Sequence, residues 1–212
     1  MPDVHPLKEQ DSGLAGSVLS RALQHDPLRA YIIPDAAERL EKSPASLEPF
    51  VRLGLSTGAA WSAGSAPEGV LIAQPPGFDV TPEIAAEIGL MALPSILGTD
   101  AWIRQGEVFE YLEEHHRNEV QGPHWYVAVV GVNPARQRQG IGRELFATIF
   151  AEADRTGTPV YLDTAQPLNR AFFESVGLEL IFESVHPASG LNLQTYRRGS
   201  RLKAGPERAR PS

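Results

Sequence analysis

The chain has 212 residues, 42% apolar and 21% charged, a composition that fits one globular domain with a sizeable core and excludes a disordered polymer. With 19 Lys and Arg against 26 Asp and Glu the net charge is −7, which argues against a general binder of nucleic acid or anionic membrane. The absence of cysteine removes disulfides, a thiolate nucleophile and Cys-ligated metal sites; no apolar run reaches the roughly 18 residues of a membrane span, and "MPDVHPLKEQDSG" has no signal-peptide core, so a cytoplasmic setting is expected.

In chain order, residues 3 to 8 predict a short strand. Residues 14 to 26 predict a helix with Leu14, Val18, Leu19, Ala22 and Leu23 on one face, stopped before Pro27. A second helix is expected over 36 to 56, interrupted or restarted near "KSPAS", where Ser43 can cap and Pro44 can open a turn. Residues 57 to 74 predict two strands around a Gly/Ser/Pro turn. Thr81 and Pro82 then open an apolar helix over 82 to 92. A further amphipathic helix over 99 to 119 would turn Trp102, Val108, Phe109 and Leu112 to a core, with Glu107, Glu110, Glu113 and Glu114 at its rim.

The second half is more regular. "HWYVAVVGV" (124 to 132) predicts a buried central strand, and a helix over 140 to 155 carries Ile141, Leu145, Ile149 and Ala153 on one face. A strand over 159 to 163, a short helix closed by Gly177, and a hairpin over 178 to 185 and 191 to 197 complete a mixed α/β order. Residues 1–198 are expected to form one domain and residues 199–212, rich in Arg, Gly, Ser and Pro, a flexible basic tail.

Between that central strand and its helix lies "QRQGIG", Gln137 to Gly142. Such a turn exposes successive backbone N–H groups beside a helix N-terminus, which favours a phosphate, and Arg136, Arg138 and Arg143 add charge. Neither a P-loop nor a dinucleotide fingerprint fits: Arg143 follows Gly142 where a P-loop has Lys, and Leu145 stands where a third glycine would.

The stretch "HWYVAVVGVNPARQRQGIGRELF", followed by "PVYLDTAQPLNRAFFESVGLELI", resembles the acetyl-CoA-binding core of the GCN5-related N-acetyltransferase (GNAT) superfamily over residues 124 to 182. The resemblance implies a GNAT-like mixed central sheet flanked by helices on both faces. It also implies acetyl-CoA as cosubstrate, bound between splayed strands at 124 to 132 and 159 to 163. Gln137, Gly140 and Gly142 match the signature, and the N–H groups of Arg138, Gln139, Gly140, Ile141, Gly142 and Arg143 would hold the pyrophosphate. Val130, Gly131 and Val132 would pair with the pantetheine arm, with Asn169 and Phe172 also on the cofactor's side. Phe173 stands where many members have a Tyr invoked as general acid; it has no donor to offer a leaving thiolate. The implied reaction is direct attack of a deprotonated amine on the thioester.

For the base, His124 and Tyr126 stand two apart on one strand and so share a face, and the glutamates 107, 110 and 114 are further candidates, Glu110 chief among them. Asp163 ends a predicted central strand, where a role in the chemistry and one in a turn are both open; Trp61 and Trp102 could line an acceptor cavity or the core. His115 and His116 are adjacent and cannot share a helix face, so no metal site is expected. The expected acceptor is a small-molecule amine, the expected assembly a monomer or homodimer, with no nucleic-acid or membrane partner. The alternatives are a non-catalytic coenzyme A or acyl-CoA binding protein and a peptide or protein N-acetyltransferase.

Overall fold

A computed structural model describes residues 2–120 and 122–200, so the expected tail, 199–212, lies almost wholly outside the described residues. Its elements are β1 (Val4–Pro6), α1 (Ser12–Ala22), α2 (Pro27–Ile32), α3 (Ala36–Thr57), β2 (Ala60–Ala63), β3 (Gly69–Gln74), α4 (Pro82–Glu87), α5 (Leu93–Leu97) and α6 (Thr99–Glu119) in the first part. β4 (Trp125–Val132), α7 (Ile141–Thr156), β5 (Val160–Thr164), α8 (Arg170–Val176), β6 (Glu179–Val185) and β7 (Asn192–Arg198) follow. The seven strands form one mixed sheet in the order β1-β2-β3-β4-β5-β7-β6. Only β4 and β5 are parallel neighbours. Among the described residues no helix is long and apolar enough to cross a membrane.

Helices cover both faces because both carry apolar side chains. On one, Ile141, Leu145, Phe146, Ile149 and Phe150 of α7 and Phe173 of α8 pack on Trp61, Leu71, Trp125, Val127, Leu162 and Tyr196. On the other, Leu19 of α1 and Leu47 and Val51 of α3 pack on Ala60, Val70 and Ile72. α6 covers the rest of that second face, where Val108 meets Ala165 and Leu193.

Four sequence expectations need correction. α2 was not anticipated: Pro27, which ends the preceding segment, also opens this helix, and the Asp26 carboxylate caps it by accepting from the N–H of Leu28 and Arg29. α3 runs unbroken through Pro44 and Pro49. Its buried face holds it in register, with Leu47, Val51 and Leu53 in the core and the Arg29 guanidinium donating to the hydroxyls of Ser43 and Ser46 at 3.2 and 2.6 Å. The expected helix 82 to 92 ends at Glu87, where Gly89 turns the chain left-handed (φ 87°) ahead of α5. In α6, Val108 faces the core, but Trp102 and Phe109 stay 39% and 40% exposed, because Ala101, Gln105 and Val108 take the inward positions. Trp61 belongs to the core rather than to a cavity, tilted against Trp125.

Candidate functional site

β4 is joined differently along its two edges. Its ladder with β3 runs six rungs, from Gly69↔Val132 to Gln74↔Tyr126, interrupted where Ala128 is the extra residue between the rungs of Val127 and Val129. Its parallel ladder with β5 has two rungs, Trp125↔Val160 and Tyr126↔Tyr161. Past them the two strands continue unpaired with each other, β4 to Val132 and β5 to Thr164. A bulge bends the strand that carries it, so Ala128 sits where such a divergence begins. The backbone of Val130, Gly131 and Val132 therefore borders an opening on the β5 side. Gly131 also lets α1 approach: a Cβ there would stand 2.8 Å from the Ala22 Cβ.

The open end of the fork leads to the turn before α7. Asn133 caps a single 3-10 turn at Pro134–Arg136, and the Gln137 side-chain amide donates to the Val132 carbonyl at 3.2 Å, tying the turn to the strand. Arg138 adopts φ 60°, a left-handed conformation that costs a non-glycine residue, and Gly140 has φ 87°. Gly140 is the N-cap of α7 without a side-chain cap, so the first N–H groups of that helix carry no side-chain acceptor. The two glycines serve different needs. A Cβ on Gly140 would meet open space, so its backbone angle is what requires glycine, whereas a Cβ on Gly142 would lie 3.1 Å from the Phe172 ring. Of the nearby arginines, Arg136 pairs with Glu68 at 3.2 Å and Arg143 leans on Ser175 of α8, while Arg138 and Gln139 are exposed. Asn169 is exposed at the start of α8, beyond the free end of β5.

At the joined end of the fork a polar cluster lies on the face covered by α6. The Tyr126 hydroxyl donates to Asp163 Oδ2 at 3.0 Å, and the Thr195 hydroxyl donates to Oδ1 at 2.5 Å. Burial pushes both the Tyr126 hydroxyl and the Asp163 carboxyl above their ordinary values. His124, just before β4, faces the Gly122 carbonyl through Nδ1 (2.8 Å) and His116 through Nε2 (2.9 Å). A carbonyl only accepts, so His124 Nδ1 carries a hydrogen, and a neutral His124 accepts at Nε2 from the Nε2–H of His116. Burial, with His124 beside it, pushes His116 down to about 4. The His116 ring also lies edge-on to Tyr126 and Tyr161, at 5.4 and 5.9 Å between centroids.

His124 and Tyr126 are thus brought together, by His116, a residue singled out in the sequence only to be set aside as a metal ligand. Nothing local marks it; a helix with His116 in its last turn, followed eight residues later by His124 at a strand start, is the signal. Glu110 lies apart: it is exposed on α6, about 200° round the helix from buried Val108, on the side away from the sheet. Phe173 is buried among Phe146, Phe172 and Tyr196 and does not face the opening.

Residues 78–178 match the acetyltransferase (GNAT) family. A stretch of 53 residues is 38% identical to an uncharacterised N-acetyltransferase of Schizosaccharomyces pombe; it is 25% of this chain and 22% of that relative, so the match spans about a fifth of the relative's length. A Drosophila melanogaster polyamine N-acetyltransferase, an enzyme that catalyses the formation of N-acetylagmatine, superposes with a TM-score of 0.65 at 18% identity, over 94% of this chain and 100% of that one. A Corynebacterium glutamicum protein of the histone acetyltransferase HPA2 and related acetyltransferases gives 0.65 at 19%, over 96% and 99%. At these identities the likeness is one of fold.

Proposed function

We propose that this chain, which belongs to the GNAT acetyltransferase family, is an acetyl-CoA-dependent N-acetyltransferase acting on the primary amine of a small molecule, with residues 1–198 as its single domain. The observation that carries this reading is the fork: a parallel ladder that stops after Tyr126↔Tyr161 and opens toward an uncapped helix N-terminus. Acetyl-CoA supplies the activated acetyl thioester. The residues present fit it. The N–H groups at the start of α7, and the Arg138 to Gly140 turn with its left-handed backbone, suit a pyrophosphate. The edge of β4 over Val130 to Val132 offers main-chain groups to an extended arm, and Asn169, the N-cap of α8, and Phe172, which packs beside Gly142, are our candidates for its other side.

The amine must shed a proton before it attacks. His124 is our candidate base, backed by His116. In the neutral pair the Nε2–H of His116 points to His124, which leaves Nδ1 of His116 to accept. His116 is held low by burial and does not keep a proton near neutrality, so a proton entering at its Nδ1 is matched by transfer of its Nε2–H along the hydrogen bond to His124. Tyr126 stays protonated and orients its neighbours. Glu110, on the outer side of α6, is better suited to drawing cations toward the surface than to proton transfer. With Phe173 in the core, departure of the thiol relies on its own acidity or on water. A small amine is favoured by the polyamine enzyme among the structural relatives. The test is an acceptor screen with acetyl-CoA that reads free thiol and confirms the acetylated amine by mass spectrometry; thiol release without an acetylated acceptor across a broad amine panel would contradict transfer.

A further inference from the structure

Asp163, on β5, is held differently from Asp154. Asp154, on α7, is paired with Arg198, whose guanidinium donates to both its oxygens at 3.0 and 2.7 Å. Asp163 receives only the neutral hydroxyls of Tyr126 and Thr195, and none of the ion pairs among the described residues includes it. It is partly buried, and burial is the main influence on its carboxyl. A desolvated carboxylate with no counter-ion is costly, and a bound cation relieves that cost.

Its place is as telling as its charge. Asp163 lies two residues beyond Tyr161, the last β5 residue paired with β4, and on the same side of the sheet as Tyr161 and Tyr126. The carboxylate thus sits where the fork begins, held to one strand by Tyr126 and to the other side by Thr195. The titratable groups around it come from every neighbouring element: Tyr126 on β4, Tyr161 on β5, Arg197 on β7, and His115 and His116 on α6. Arg197 is spent over the Tyr161 ring, 5.8 Å from its centroid, two rungs from the Thr195 position. His115 lies between the rings of Tyr111 and Phe182 and donates from Nδ1 to the Tyr111 carbonyl. Neither forms an ion pair with Asp163; His115 acts on it only at a distance, as a lesser influence than burial that favours the charged carboxylate.

We infer that Asp163, with Tyr126 and Thr195, is the seat of the acceptor's ammonium group, so that the acceptor class is a cationic alkylamine; this rests on the acetyltransferase reading. The exposed glutamates 107, 110, 113 and 114 of α6 add a field that draws such a cation in.

The test compares the wild type with Asp163→Asn, which keeps the shape and removes the charge. The readouts are steady-state kinetics with the best alkylamine of the acceptor screen, coenzyme A affinity by calorimetry, and thermal unfolding. The expected result is a KM for the alkylamine raised roughly 10- to 100-fold, with coenzyme A affinity and unfolding temperature retained. A KM within twofold of the wild type overturns the seat, as does a loss shared equally by coenzyme A affinity and unfolding temperature, which marks a structural carboxylate. If Asp163→Asn does not fold, Thr195→Val is measured in its place: a severalfold rise in alkylamine KM at unchanged coenzyme A affinity supports the seat, and no rise overturns it. A wild type that neither binds coenzyme A nor acetylates any amine overturns the acetyltransferase reading itself, an outcome distinct from the failure of Asp163 alone.

Discussion

The two edges of β4 show how one strand serves structure and function at once. On the β3 side it is sealed by six rungs, with α3 pressed so closely behind that Gly54 has no room for a Cβ, 2.8 Å from Ile72 and 2.9 Å from Ala60. On the β5 side two rungs suffice to hold the sheet together, and the rest of the edge is left unpaired along the fork. An edge that spends its backbone groups on a neighbour cannot offer them to a ligand; the open edge can, at the expense of ladder bonds. Damage on the sealed side should therefore reach stability, and damage along the open side should reach binding and turnover.

The largest effect is expected at the open end. Gly140→Asp places a carboxylate beside the turn proposed for the pyrophosphate, and coenzyme A affinity should fall roughly 100-fold by calorimetry. Stability should change little, because the strain of a left-handed Asp, about 1 kcal/mol, is offset by a negative charge at a helix N-terminus. Next comes His124→Ala at the joined end. Turnover should drop by roughly 100-fold, the lower end for a positioned base, with coenzyme A affinity kept; unchanged turnover from pH 6 to 9 would remove His124 from proton transfer.

Gly54→Val examines the sealed side. It should cost about 1–3 kcal/mol in unfolding free energy, since Ile72 and Ala60 must give way, and leave coenzyme A affinity of the folded protein intact. Phe173→Tyr separates core from site. Because Phe173 packs on Phe146, Phe172 and Tyr196, an added hydroxyl is buried without a partner, so the expected change is a similar or smaller loss of stability, about 1–3 kcal/mol, and no gain in turnover. A rise in turnover would place that ring edge at the fork and return the thiolate's proton to this position.

The second half of the molecule was legible because its signals are local. The apolar run before Pro134, the 3.6-residue period of Ile141, Leu145 and Ile149, and Gly177 at a helix end each act within a few residues, and all match the structure. The first half hid its organisation in longer contacts. Asp26 and Pro27 punctuate the chain twice, ending one segment and capping the next, and only the Arg29 guanidinium on Ser43 and Ser46 shows what supports α3 near its prolines. α6 has large aromatics outside and small or polar residues inside, which inverts the usual reading of an amphipathic face. The site divided in the same way. Gln137 to Gly142 was readable as a turn, whereas the His116–His124 contact and the Tyr126–Asp163–Thr195 cluster join separate elements and carry no sequence spacing of their own.

The account stands on the fork between β4 and β5 being the coenzyme A site, and calorimetric titration of coenzyme A into chelator-treated protein tests it most directly. The expected result is saturable binding at one site that survives chelation and is lost in Gly140→Asp. No detectable heat and no competition with acetyl-CoA at millimolar ligand, or binding that Gly140→Asp leaves untouched, would contradict it.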